Sequence, residues 1–366
     1  VEFLLKKNNV FIFNGVGSFL DKSTIQIKTE GGSTKISSKN IIVSTGAKPR
    51  VLKGLEPDHK NIWTYRDALV ADSIPKSILI VGAGVIGIEF AYFFNSLGSK
   101  VSVIDIEENI LSTADFEISD YAYRQLKNQG IEFIFASKVE KIIKKGDQVS
   151  VTILNNNLKK TNNYHKILSA VGTDANIDGL NLEKVGIDLQ GGLIKVDSFC
   201  RTNIEGVFAI GDVTEGPWLA HKASHEGILV AEKIAGKKPK ALDVNKIPAC
   251  VYSNPQIASI GLGEKEAKNK YKDISIGKFP FSANGKALTE GEEVGFIKTI
   301  FVKNTGELVG AHMVGSEVTE LIHGFSIGMS LESTEEELMN TIYPHPTLSE
   351  MIHESVLNAF DRALHI

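Results

Sequence analysis

The chain has 366 residues, 42% hydrophobic and 23% charged, with a formal net charge of −4. That length exceeds one ordinary core and predicts two or three domains. The mildly acidic balance without a basic block argues against nucleic acid as a partner, and no apolar run reaches the length of a membrane span. Only two cysteines occur, Cys200 and Cys250, far apart. This excludes a disulfide scaffold and fits a reducing, cytoplasmic setting.

The chain starts at Val1, and residues 1–7 lack the charged and apolar regions of a signal peptide. Val1, Leu4 and Leu5 fall on one helical face, so the chain is expected to begin inside a domain. Residues 10–15 (VFIFNG), 24–28 (TIQIK) and 36–43 alternate as strands. Residues 41–47 (IIVSTGA) read as a buried strand leaving through small residues. Such a turn lets backbone approach a ligand, or is an ordinary strand exit. Residues 49–75 form a connector with a helical piece near 65–70.

Residues 78–105 are the most informative stretch. A β-rich run ends at Gly82-Ala83-Gly84-Val85-Ile86-Gly87-Ile88-Glu89, a helix follows, and a second strand ends at Asp105. Gly82 permits the tight turn, Gly84 lets backbone approach a pyrophosphate, and Gly87 allows close helix–strand packing. The helix N-terminus supplies free N–H groups, and Asp105 can accept both ribose hydroxyls of NAD. A glycine turn used only for packing does not explain Asp105.

A helix over 115–129, a strand over 131–135, a hairpin over 139–153 and a buried strand over 166–172 follow. The strand over 207–212 ends in Gly211-Asp212, and a helix over 218–235 comes next. Asp212 can hold a ligand hydroxyl or cap the turn. His221 and His225 have metal-ligand spacing, but no third ligand is evident and no metal is expected. Beyond 244, strands over 248–260, 274–281, 295–302 and 308–314 and helices over 317–329, 334–340 and 348–364 predict an α+β domain.

His345 stands between Pro344 and Pro346, so its backbone is stiff, and a cis His–Pro bond is expected. Glu350 can complete a capping box with Thr347. Alternatively, it can orient the His345 imidazole as a general acid–base pair. No G-x-S-x-G elbow or C-x-x-C accompanies them, and both cysteines read as packing residues.

Taken together, the chain resembles the pyridine nucleotide–disulfide oxidoreductases, and within them the dihydrolipoyl dehydrogenases. The resemblance rests on Ser44-Thr45-Gly46-Ala47, residues 82–89, residues 209–213 (AIGDV), residues 219–223 (LAHKA) and residues 345–350 (HPTLSE), in family order along nearly the whole length. It implies an α/β architecture: a Rossmann-like NAD domain over 73–176, inserted in an incomplete FAD domain over 1–72 and 177–245. An α+β dimerisation domain over 246–366 follows.

Val139 and Gly172 would line the adenosine, and Glu89 would face the flavin–nicotinamide contact. Ser44, Thr45, Gly46 and Asp212 would touch FAD, with Trp218, Leu219, Ala220 and His221 beside its ring. His345 would accept a proton from the dithiol, partnered by Glu350, and would serve the other subunit of a homodimer. The implied reaction is oxidation of protein-bound dihydrolipoamide through a redox disulfide and FAD to NAD. The implied partners are lipoyl domains of 2-oxoacid dehydrogenase or glycine-cleavage complexes.

The family's first glycine triplet, its C-x4-C pair and the lysine that pairs with Glu89 are absent and are expected upstream of Val1. Without the cysteine pair, this chain alone is expected to be inactive. Thr173 stands where the family often has arginine. Glutathione reductase-like enzymes usually take NADP, whose 2′-phosphate would meet Asp105, Glu107 and Glu108 here. Large thioredoxin reductases carry a redox tail that 363–366 lack, and mercuric reductases carry C-terminal cysteines. A non-catalytic NAD-binding, dimerising fragment is the alternative of a different class.

Overall fold

A computed structural model describes residues 1–366, which divide into two compact units. One comprises Val1–Lys48 and Thr173–Val244, the other Pro49–Gly172 and Asn245–Ile366.

In the first unit, strands Val16–Asp21, Thr24–Thr29 and Gly32–Ser37 form an antiparallel sheet. Ile41–Val43 pairs in parallel with Val207–Ala209. Phe19, Val43, Ala175, Ile194, Val207 and Ala209 share one core. Two expectations are corrected here. Residues 10–14 form no strand, and Phe11 is 87% exposed. Alternation marks a strand only where a neighbour accepts its backbone bonds. The single strand over 36–43 is two, separated by a turn in which the Ser38 hydroxyl donates to the Asn40 carbonyl. Helix Ala220–Ile234 buries Lys222, Glu226, Leu229 and Val230.

In the second unit, a parallel sheet runs in the order 62–63, 166–169, 77–81, 100–104, 132–134. From Ser77–Val81 the chain proceeds outward on one side to Lys100–Ile104 and Glu132–Ile134, then returns to the other side at Lys166–Ser169. The reversal puts a topological switch point at the carboxyl ends of Ser77–Val81 and Lys166–Ser169, the position where open α/β sheets bind ligands. The expected hairpin is a three-stranded sheet, Ser137–Lys145, Gln148–Asn155 and Leu158–Tyr164.

The C-terminal sheet is antiparallel, in the order 249–251, 256–261, 308–315, 296–302, 274–280. Its Val251, Ile257 and Val314 share one core with Ile78, Ile80 and Ile88 of the nucleotide sheet. Helix Glu350–Asn358 presses on the strand Ile274–Pro280. A Cβ added at Gly277 would stand 1.8 Å from the Ser355 carbonyl oxygen, so only glycine permits this approach. The helix is shorter than the expected 348–364, because Asp361 turns left-handed at φ 57° and the chain folds back.

Candidate functional site

The glycine turn lies at this switch point. Gly82 has φ +112°, and a Cβ there would meet the Ala170 carbonyl oxygen at 2.2 Å. A Cβ on Gly87 would stand 1.9 Å from the Gly82 carbonyl oxygen, so the helix packs on the turn itself. Gly84 differs: its φ is −74°, and an added Cβ would point into open space. Nothing in the protein itself requires glycine there, whereas a ligand in close contact with the turn's backbone would. Gly84 also opens helix Val85–Ser96 without a side-chain cap, which leaves first-turn N–H groups for an anion.

The Asp105 carboxylate accepts from the Ala83 N–H at 2.5 Å and the Glu107 N–H at 2.9 Å. Two backbone donors thus orient it, and a carboxylate has roughly four acceptor positions. Glu107 and Glu108 are exposed beside it. Residues 82–89 and Asp105 therefore fit a dinucleotide with free ribose hydroxyls. Val139 lies half-buried on Ser137–Lys145, and Gly172 is exposed after the strand Lys166–Ser169. The Arg50 N–H donates to the Gly172 carbonyl at 3.0 Å. The Arg50 guanidinium also lies 3.8 Å from where a Gly172 Cβ would be. A cation therefore stands beside Gly172 although position 173 is threonine.

Glu89 reaches out of helix Val85–Ser96 and accepts the Tyr252 N–H at 2.9 Å. Burial raises its pKa above the ordinary glutamate value, against the pull of that donor. Tyr252 is 163 positions away, so no local pattern announces it.

In the first unit, Ser44, Thr45 and Gly46 follow Ile41–Val43, and Asp212 lies in the turn after the paired strand Val207–Ala209. Gly46 has φ +69° and open space where a Cβ would be. The helix after Asp212 opens at Leu219 with no side-chain cap, so Asp212 does not cap it. Burial raises the Asp212 pKa, Lys222 opposes the shift and Glu226 adds to it. Trp218, Ala220 and His221 are exposed, and Leu219 is half-buried. The Trp218 indole donates to the Thr214 carbonyl at 2.9 Å.

The sequence reading missed the pair that holds this turn. Lys222 and Glu226 form a buried ion pair at 2.7 Å. Glu226 also accepts the Gly211 N–H at 2.7 Å, and Lys222 donates to the Glu215 carbonyl at 3.0 Å. Their i,i+4 spacing on an apolar helix face was the available signal. These residues fit one wall of a flavin site: an open glycine turn at Gly46 and the Asp212 carboxylate past the strand end, on a turn held by Lys222 and Glu226.

At the C-terminal site Glu350 reaches both His345 and the Thr347 backbone. One carboxylate oxygen meets His345 Nδ1 at 2.9 Å, and the other accepts the Thr347 N–H at 2.9 Å. The Thr347 hydroxyl donates to the Pro344 carbonyl, and the helix opens after Ser349 without a side-chain cap, so the expected capping box does not form. Burial pushes the Glu350 pKa up, but the Thr347 N–H and His345 bring it below the ordinary value. The His345–Pro346 bond is cis. The His345 side chain is 79% exposed, with Nε2 as its remaining polar ring atom. Tyr343, just before this segment, stacks on His353, and burial pushes its phenol up to about 12. Burial also pushes the Cys200 thiol up to about 12 and raises Cys250, so neither resembles an activated thiol.

Residues 1–227 match the model of the pyridine nucleotide-disulphide oxidoreductases, and residues 247–356 match that family's dimerisation domain. The chain is 44% identical to dihydrolipoyl dehydrogenase of Rhizobium etli over 381 aligned positions. It is also 44% identical to that of Zymomonas mobilis over 368. Each alignment covers 100% of this chain and 79% of the relative. Among solved structures, LpdA from Mycobacterium tuberculosis superposes with a TM-score of 0.91 at 26% identity, covering 97% of this chain and 78% of that one. The chain belongs to the pyridine nucleotide-disulphide oxidoreductase family.

Proposed function

We propose that the chain acts as a dihydrolipoyl dehydrogenase: protein-bound dihydrolipoamide is oxidised to lipoamide, and the two electrons pass through an enzyme disulfide and FAD to NAD. The observation that carries this reading is the His345–Glu350 pair, supported by relatives named for that activity. With its Nδ1–H donated to Glu350, the imidazole keeps a lone pair on Nε2 for a substrate thiol proton. Once protonated, the ring is stabilised by the same carboxylate. Closing the dithiol to a disulfide releases two protons and two electrons, and His345 takes the first proton as the thiolate forms. FAD, when bound, supplies the two-electron relay between disulfide and nicotinamide. Ser44, Thr45, Gly46 and Asp212 would hold it, with Trp218, Leu219, Ala220 and His221 beside its ring. Residues 82–89, Asp105, Val139 and Gly172 would hold NAD. Thiol exchange also needs a cysteine pair in addition to Cys200 and Cys250.

The proposal extends to organisation and partners. Residues 1–72 and 177–245 belong to the FAD-binding part, 73–176 to the NAD domain and 246–366 to the homodimer interface. Lipoyl domains of 2-oxoacid dehydrogenase or glycine-cleavage complexes deliver the substrate, in the cytoplasm. No helix is long and apolar enough to cross a membrane.

In the enzyme equipped with the family's cysteine pair, His345→Gln is expected to slow dihydrolipoamide oxidation by about 10²–10⁴-fold while flavin absorbance is retained. An unchanged rate removes His345 from the mechanism. The second reading, a non-catalytic NAD-binding and dimerising fragment, is favoured by the two packed thiols. NADH binding without flavin absorbance or dithiol turnover would identify it.

A further inference from the structure

The strand Phe296–Val302 carries Lys298, whose side chain is 1% exposed. Its ammonium meets both Asp115 oxygens at 2.9 and 3.1 Å, Glu117 at 3.0 Å and Glu264 at 2.6 Å. Asp115 caps helix Phe116–Asn128 by accepting the Glu117 N–H at 3.1 Å. It also accepts the Glu264 N–H at 3.0 Å, at the start of helix Glu264–Lys270. One carboxylate therefore serves a helix of the nucleotide sheet and a helix beside the C-terminal sheet, with a buried cation between them.

The contacts continue from Asp115 to the nucleotide turn. Ser119, on the capped helix, donates through its hydroxyl to the Ile110 carbonyl at 2.5 Å. The next residue, Leu111, is buried with φ +48°, a backbone region costly for a branched side chain. Such a conformation persists only where its surroundings hold it. The Leu111 N–H donates to the Ala83 carbonyl at 2.9 Å, and the Ala83 N–H donates to Asp105. Lys298, Asp115, Ser119, Ile110, Leu111, Ala83 and Asp105 thus form one continuous run of bonds.

We propose that Lys298 is a positioning residue for nucleotide binding. It clamps Asp115 so that segment 106–114 keeps Leu111 in its left-handed conformation and the Ala83–Asp105 geometry ready for a ribose. The inference rests on the reading of residues 82–89 and Asp105 as the NAD site. Through it, the C-terminal part of the chain governs dinucleotide affinity without touching the dinucleotide.

The test measures NADH binding to the full 366-residue chain, together with backbone amide exchange. Lys298→Met is expected to weaken NADH binding by about tenfold and to release the Leu111 amide to exchange. Strands Ser137–Lys145 and Gln148–Asn155 should keep their protection. Lys298→Arg should restore most of the affinity, since a guanidinium can pair with the same carboxylates. Should Lys298→Met fail to fold, Ser119→Ala decides: it cuts the bond to the Ile110 carbonyl without touching a charge and should weaken NADH binding in the same direction. NADH binding and Leu111 exchange both unchanged in a folded variant would overturn the inference and leave the nucleotide reading intact. Failure of the unaltered chain to bind NADH, by contrast, would sink the nucleotide reading itself.

Discussion

The glycine turn at 82–87 and the histidine segment at 343–350 reach rigidity by opposite means. At the turn, side chains are absent: Gly82 and Gly87 bring backbone within distances that any Cβ would forbid. At the histidine segment, side chains supply the frame: two prolines, a threonine hydroxyl bonded to the Pro344 carbonyl and one carboxylate shared between an imidazole and a backbone N–H. A site meant to grip phosphate needs bare backbone, whereas a site meant to move a proton needs an oriented ring open to its substrate.

Substitutions can break that contrast. The largest expected effect is at Gly87: alanine would collide with the Gly82 carbonyl, cost about 1–3 kcal/mol of stability and abolish measurable NADH binding. Thermal unfolding and a binding titration check both. Gly84→Ala sharpens the comparison, because its Cβ enters open space at an ordinary φ. It should cost far less stability than Gly87→Ala yet weaken NADH binding about as severely. Retained binding would mean that Gly84 does not face the pyrophosphate.

Glu350→Gln comes next. Turnover of the enzyme equipped with its cysteine pair should fall about tenfold while the fold survives, because the amide keeps an oxygen for the Thr347 N–H but no charge for the imidazolium. Asp105→Ser combined with Ile106→Arg should move the NAD/NADP preference towards NADP; an unmoved ratio would remove Asp105 from the ribose.

The smallest expected effect is acid sensitivity at Asp115. Burial raises its pKa, but the Glu264 N–H and Lys298 bring it below the ordinary aspartate value. A depressed carboxylate contributes stability that is present above its unfolded pKa and is lost as pH falls through the folded one. Unfolding free energy should therefore decline below the ordinary aspartate range, and Asp115→Asn should flatten that decline. An equally steep decline in the variant would remove Asp115 as its source.

Local patterns made much of this molecule legible. The strand–turn–helix at 77–96, the acid at 105, the helix beginning near 115 and the His–Pro frame each lie within a few residues of what defines them. The misreadings had local patterns too. Residues 10–14 alternate like a strand but lack a pairing neighbour, and helix Glu350–Asn358 stops short because Asp361 takes a left-handed turn.

The sequence by itself determined where backbone must come close and which side chains could do chemistry, because glycine, proline and short-range acid–base spacing act through neighbouring bonds. Only the tertiary structure decided which distant groups hold those sites in place. Tyr252 on Glu89, Arg50 beside Gly172 and Lys298 on Asp115 are contacts between residues far apart in the chain. The Lys222–Glu226 pair was spaced visibly on its helix, but its bond to the Gly211 N–H required the helix to be folded onto the strand end. A partner brought by topology leaves no period or spacing in the sequence, and burial, which makes such a pairing matter, exists only once the sheets have closed.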